Sequence, residues 1–468
     1  MPVDRSRVPA VGSDPAFRFP DIVRHTLPNG IDLRTIEHRA APVVTFVLQV
    51  EGGSGADPAT QEGLAAITAD MVDEGTGSLS AIDVSDAITR IGADYDVDVG
   101  SDVTTFSLTT LERFSARGAQ LLADLLIRPS LREADFQRVR QLRVDRLRQL
   151  KDVAPAVAER AFVRLLYGDH PYGHLSIGNE TALRSLSIAE VSAFHAERFV
   201  PSQATLIIAG DMTHDAMRAL ADASFGDWTA GVGRDSRPNE VTGADPAVRR
   251  RASDIEPVDS PSGQLAIVPR EGAAQSEIRI GHLSAQRNTP DYSALLVMNS
   301  VLGGQFVSRV NLKLREEKGY TYGARTGFDW RRGLAPFSLS TSVHTAATAE
   351  AVKDAHAEID SLRGARPVTA SELALAKASL TRGYPRNFET AAQVARAVGQ
   401  LALFGLPDTY FQEFMPKVNA VTEDDVTRVA AAYLDPGRLT TLVVGDHAAI
   451  RESMSRLIGD ALVIPPEV

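Results

Sequence analysis

At 468 residues the chain is too long for one ordinary hydrophobic core, and its length points to about two to four domains. A net charge of −11 leaves no basic surplus to neutralise phosphates, which argues against a nucleic-acid binder; 44% hydrophobic and 23% charged residues are ordinary for a globular protein. Disulfides, thiolate metal sites and cysteine nucleophiles are excluded, because there is no cysteine.

The first twenty residues, MPVDRSRVPAVGSDPAFRFP, lack the apolar core of a signal peptide and read as a polar, Pro-rich tail. The compartment expected is the periplasm if a signal peptide was removed, and the cytoplasm otherwise. No apolar run is long enough to span a membrane. After the Asn29-Gly30 turn signal, alternation predicts strands over Ile31–Glu37 and Val43–Glu51. Leu64, Ile67, Met71 and Val72 recur at helical spacing until Gly75 and Gly77 end the helix. A short helix over Ala81–Ile91 and an antiparallel hairpin across Asp94–Leu111 come next. Helices are predicted over Phe114–Leu126, Glu133–Lys151 and Ala156–Tyr167, and then comes the loop GDHPYGHLSIGNE. Ser187 caps a helix to Phe199, with Glu190 at the capping-box position, and the apolar strand 204–211 closes this half.

Residues 229–255, rich in Gly, Pro, Asp and Arg and without periodicity, read as a linker. Beyond it the order repeats. Strands are expected over Gln264–Pro269, Glu277–Leu283, Tyr320–Arg325 and Phe337–Val343. Helices are expected over Tyr292–Leu302, up to Arg315, and over Ala347–Leu362, Ala370–Arg382, Ala391–Leu403 and Glu423–Tyr433. Phe199–Asp211 mirrors Tyr433–Asp446, both ending in an apolar run and Gly-Asp, at an offset of 235 residues. An internal duplication accounts for this. The fold class expected is α+β, with homologous halves at 21–228 and 256–468, each a mainly antiparallel sheet with helices packed on it.

The stretch LGGQFVSRVNLKLREEKGYTYG (302–323) presents a guanidinium at Arg315 and a phenol at Tyr322. Taken alone, Arg315 also reads as a solvated helix-end cation and Tyr322 as a cross-strand aromatic. Spacing does not choose between Tyr322 and Tyr320, which falls on the same strand face. His170 and His174 are at i, i+4, but Pro171 and Gly173 between them oppose a helix, so a surface loop is expected. Asp70, Asp73 and Glu74 read as a solvated helix end, and the arginines from Arg138 to Arg148 as a wet helix face. Gly303-Gly304 lacks the GK[ST] of a phosphate loop and reads as a point of close approach to a partner.

Several stretches together resemble the pitrilysin-like zinc peptidases, of the bacterial two-chain type. They are LPNGIDL (27–33), GLAAITADMVDEGT (63–76), YGDHPYGHLSIGNE (167–180), FVPSQATLIIAGD (199–211), the 302–323 stretch, FETAAQVARAVGQLALFGLP (388–407) and VTEDDVTRVAAAYLDPGRLTTLVVGD (421–446). Active members of the resembled family carry H-x-x-E-H on the first helix. In that register the metal histidines fall on Ala66 and Asp70 and the general-base glutamate on Ala69. The distal zinc glutamate falls near Asp145 or Arg146. Alanine offers neither a metal ligand nor a base, so the resemblance implies no zinc and no other cofactor in this chain. In the second half, Arg315 and Tyr322 match the family's L-R-x-x-x-x-x-x-Y-G, and this register favours Tyr322 over Tyr320.

The resemblance therefore implies a non-zinc subunit whose partner is a homologous H-x-x-E-H chain holding the zinc. The two would close around a peptide or unfolded protein substrate. Arg315 and Tyr322 would donate to the substrate carbonyl as it becomes an oxyanion. A scaffold or peptide-binding protein on a dead peptidase fold is the alternative. An independent hydrolase lacks a supporting motif such as G-x-S-x-G.

Overall fold

The computed structural model describes residues 17–229 and 263–465. From residue 230 on, the linker expected at 229–255 lies outside the described residues, as do the first sixteen residues of the expected tail. Two six-stranded sheets organise the rest. The first contains β1 (Val23–Thr26), β2 (Asp32–Glu37), β3 (Val43–Glu51), β4 (Asp94–Val99), β5 (Val103–Leu111) and β6 (Ala204–Gly210), in the order β1-β2-β6-β3-β5-β4. The second contains β7 (Leu265–Pro269), β8 (Gln275–Leu283), β9 (Ala324–Phe328), β10 (Pro336–His344), β11 (Thr440–Gly445) and β12 (Ala461–Val463), in the order β12-β7-β11-β8-β10-β9.

The two orders superimpose strand for strand, which is the duplication expected from the sequence. The repeated strands β6 and β11 occupy the same place. Each runs parallel to one neighbour (β2 or β7) and antiparallel to the other (β3 or β8). Only the outermost strand differs, since β1 is antiparallel to β2 whereas β12 is parallel to β7.

Five helices frame the site and the seam between the halves: α1 (Leu64–Asp70), α2 (Glu133–Lys151), α3 (Ala154–Tyr167), α4 (Ala370–Thr381) and α5 (Ala391–Phe404). The halves do not keep their helices to themselves. From the second half, α5 lies on β3 and β6 of the first sheet, while α3 of the first half lies on β8 and β11 of the second. Ile36, Val47 and Ile207 accordingly share one core with Val394, Val398 and Leu401. Likewise Val157, Phe162 and Leu166 share a core with Val268, Leu442 and Val444. This explains why β3 is buried along nearly its whole length instead of alternating.

The loop 168–180 is not a surface loop, contrary to the expectation from Pro171 and Gly173. Tyr172 is 1% exposed and His170 5%. The Tyr172 hydroxyl bonds Asp102, whose carboxylate also accepts from the Arg332 backbone N–H at 3.1 Å. Arg331 is held between the rings of Tyr167 and Tyr172, at 4.9 and 5.0 Å, and donates to the Tyr172 carbonyl. Arg332 reaches across to Glu51 of β3 at 2.7 Å. A first-half loop is thus buried by second-half arginines, which local turn chemistry cannot reveal.

Candidate functional site

Gly63, at φ 99°, opens α1 in the left-handed region that glycine tolerates. With no side-chain cap at that position, Asp57 substitutes. Its two carboxylate oxygens accept from the Gly63 and Ala65 N–H groups, each at 2.7 Å. His174 Nε2 lies 3.0 Å from the same carboxylate. His174 therefore braces the start of α1. On the helix, Ala66 and Ala69 are 3% and 0% exposed, and Ala69 packs in the first-half core with Val72 and Val84.

Asp70, at the end of α1, is paired with the guanidinium of Arg143 on α2, which also donates to the Ser176 carbonyl at 3.0 Å. Two methyl groups and a carboxylate already engaged by a permanent cation do not fit a zinc ion. On α2, Asp145 is taken up by Gln141 and Arg148, whereas Arg146 lines the same cleft as Asp70 and Arg143. That cleft is lined by the carboxylates of Asp70, Asp73, Glu74 and Asp96 and also by the guanidinium groups of Arg143 and Arg146, whose permanent positive charge opposes a metal cation. Among the described residues, no three His, Cys, Asp or Glu side chains lie together as a metal requires.

The α2 arginines are more than a wet face. Arg138 pairs with Glu74, Arg143 with Asp70 and Arg148 with Glu180, so the row ties α2 to its neighbours. Nor is the acidic cluster simply solvated. Burial, and after it repulsion from Glu74 and Asp70, pushes the Asp73 carboxyl up to about 6. Burial also raises Glu74 despite Arg138, and it raises the Tyr95 phenol across the cleft.

Linkage gives the sign of the Asp73 effect. Its folded value lies above the unfolded one, so the native state binds the proton more tightly, and stability falls as pH rises from about 4 to about 6. Asp73→Asn is expected to stabilise the protein by on the order of 1–2 kcal/mol above pH 7 and to have little effect at pH 3. Urea midpoints at the two pH values check this. An equal effect at both would rule out the titration.

In the second half, the helix expected to reach Arg315 is α-helical only over Arg309–Asn311 and continues as a π-helical turn, Leu312–Glu317. Arg309 anchors its start. The guanidinium grips both Glu372 oxygens on α4, at 2.7 and 2.8 Å, and donates to the Arg366 and Pro367 carbonyls. Arg309 accordingly holds the Glu372 carboxyl down at about 2. Buried Asn311 ties the turn to β9, donating to the Ala324 carbonyl at 2.8 Å and accepting from its N–H at 2.9 Å.

The strand expected over Tyr320–Arg325 starts only at Ala324, so neither tyrosine is a strand residue. Thr321 Oγ1 bonds both backbone groups of Gly323, and Thr341 Oγ1 donates to the Gly323 carbonyl at 3.0 Å. These bonds fix a bend from which Tyr322 projects, 92% exposed. Tyr320 instead packs against the second-half core. Arg315 lies under the Phe306 ring, 4.1 Å from its centroid, with Glu316 at 3.5 Å. Phe306 is itself 66% exposed. The close approach at Gly303 is internal: a Cβ there would fall 2.5 Å from Thr326 Oγ1 on β9. The expectation of a partner at Gly303-Gly304 is corrected accordingly.

Fold and site together define a duplicated peptidase-type chain whose metal ligands have been replaced. Residues 34–176 match the model described as insulinase (peptidase family M16), and residues 185–380 match the peptidase M16 inactive domain. The chain belongs to peptidase family M16. An uncharacterized zinc protease of Mycobacterium tuberculosis (strain H37Rv) is 24% identical over 437 residues, covering 93% of this chain and 95% of that protein. Mitochondrial-processing peptidase subunit beta of Blastocladiella emersonii is 24% identical over 460 residues, covering 92% and 91%. The crystal structure of a peptidase M16 inactive domain from Pseudomonas fluorescens superimposes with a TM-score of 0.82 at 21% identity, covering 91% of this chain and 98% of that one. Among the described residues, no helix is long and apolar enough to cross a membrane.

Proposed function

We propose that this chain is the non-zinc subunit of a two-chain zinc endopeptidase, with peptidase-like domains at 21–228 and 256–468 joined by 229–255. The observation that carries the reading is a contrast. On α1, Ala66 and Ala69 are buried and Asp70 is engaged by Arg143, whereas Tyr322 stands 92% exposed on a braced bend. Relatives named as zinc proteases, and one named as a subunit of a processing peptidase, support it.

Zinc, held by a homologous H-x-x-E-H partner, would polarise the scissile carbonyl of a peptide or unfolded protein. This chain's contribution is to bind and stabilise. The Arg315 guanidinium and the Tyr322 hydroxyl donate hydrogen bonds to the carbonyl oxygen, and these strengthen as negative charge develops there. The Phe306 ring and the Glu316 carboxylate, 3.5 Å away, hold the guanidinium in place.

Co-purification from the native source, with a zinc assay and peptide cleavage on the product, tests the proposal. The chain alone is expected to be inactive and the complex to contain zinc and cleave. Cleavage by the isolated chain would overturn it. A zinc-free, inactive complex would favour the scaffold reading.

A further inference from the structure

Asn311 stands immediately before the π-helical turn that carries Arg315, and Tyr322 stands just before β9 begins at Ala324. Arg315 and Tyr322 therefore lie on one loop, 312–323, and the side chain of Asn311 closes the mouth of that loop. The residue is 6% exposed, and its carboxamide is bonded on both sides. Oδ1 accepts from the Ala324 N–H at 2.9 Å, and Nδ2 donates to the Ala324 carbonyl at 2.8 Å. Nδ2 also lies 3.2 Å from the Gln305 carbonyl and 3.1 Å from Ser308 Oγ.

The clasp on Ala324 has a particular form. β9 is the end strand of its sheet and pairs with β10 alone. On its free side, Ala324 meets a carboxamide that offers one acceptor and one donor, as the backbone of a further strand would. An aliphatic side chain of the same size offers neither. The bond to the Gln305 carbonyl reaches the residue before Phe306, whose ring lies over Arg315. One buried carboxamide thus touches the three segments that carry Phe306, Arg315 and Tyr322.

Other contacts hold the two donors separately. Arg309 grips Glu372 and fixes the turn on α4, while Thr341 fixes the bend on β10 through the Gly323 carbonyl. Between them, the Tyr320 N–H closes on the Leu314 carbonyl at 2.9 Å, a tie that ends short of Tyr322. The far side of Tyr322 is referred to the turn through Ala324 and Asn311.

We propose that Asn311 is a positioning residue that holds the Tyr322 hydroxyl in register with the Arg315 guanidinium, so that both reach one carbonyl oxygen. This rests on the reading of that pair as oxyanion donors.

In the assembled two-chain enzyme, Asn311→Ala is expected to lower kcat by about tenfold to a hundredfold and to leave KM within about twofold, since a donor misplaced by about 1 Å fails the transition state more than the bound peptide. In a Tyr322→Phe background the same substitution should lower kcat by less than about threefold, because no hydroxyl remains to be aimed. A merely structural loss would act equally in the two backgrounds. Asn311→Ser keeps one hydrogen-bonding group at the site and should fall between Asn311→Ala and the parent. If Asn311→Ala fails to fold, the same cycle run with Asn311→Ser decides the matter. An unchanged kcat in a folded Asn311 variant, or equal losses with and without the Tyr322 hydroxyl, would overturn the proposal. Tyr322→Phe turning over at the parental rate is a different result: it removes the reading of the pair, and this proposal with it.

Discussion

Arg315→Ala is expected to lower the kcat of the two-chain enzyme by about 10²–10³-fold, and Tyr322→Phe by a comparable factor, with little change in the affinity between the chains. The losses are expected in kcat because both donors meet negative charge that exists only as the carbonyl oxygen becomes tetrahedral. Tyr322→Phe is the cleaner of the two. The phenol is 92% exposed and makes none of the bonds that hold its bend, which come from Thr321, Gly323 and Thr341. Removing its hydroxyl should leave thermal stability within about 0.5 kcal/mol of the parent. Arg315→Ala also gives up the contact with Phe306, worth about 0.5–1 kcal/mol at an exposed site, so its melting point needs to be measured alongside. Tyr320→Phe serves as the control, since that ring packs inward and should leave kcat unchanged. If the double variant Arg315→Ala/Tyr322→Phe turned over at the parental rate in the assembled enzyme, the catalytic role would be lost.

Writing the H-x-x-E-H motif back into α1, as Ala66→His, Ala69→Glu and Asp70→His, is expected to produce an unstable protein and no zinc peptidase. Ala69 is 0% exposed within the first-half core, and a glutamate there must overpack its neighbours or bury a charge. Asp70→His leaves Arg143 without its carboxylate and sets an imidazole against a guanidinium, with Arg146 lining the same cleft. Together these should cost about 3–5 kcal/mol, roughly a four-degree fall in Tm for a chain of this length unfolding as one unit. Calorimetry and a metal assay on the purified triple variant give the outcome. A stable protein with one tightly bound zinc per chain would show that the site had only lost its ligands and was not rebuilt. Adding Arg143→Ala and Arg146→Glu is the change the cleft calls for, because the cations must leave before a dication can enter.

The regular elements were legible because their periods are strong. Alternation located β3 and β5, and helical spacing with a Ser187 cap located Ile188–Arg198 together with its capping box. Other helices escaped. His214–Phe225 buries one small residue, Ala221, between Met217 and Phe225, and Tyr410–Ala420 contains Pro416. The alternation at Tyr320 and Tyr322 mimics a strand, yet the Thr321 hydroxyl bonds its own backbone and turns it into a bend. For the candidate site, the replaced residues Ala66, Ala69 and Asp70 could be found only through a family register. What had taken their place could not. The Arg143–Asp70 pair spans 73 residues, and sequence gives no hint that the α2 arginines turn inward.

The reciprocal crossing of α3 and α5 also bears on ancestry and on cooperativity. A half-length protein with either sheet would have had its β3 or β8 face bare, so a stable ancestor required a second copy to cover it. Fusion of the two copies then made a private exchange between identical subunits into a bond within one polypeptide. Each half has since served as the other's missing layer. The unit that unfolds cooperatively is accordingly the whole chain, and sequence drift on one half's helix is constrained by the other half's sheet.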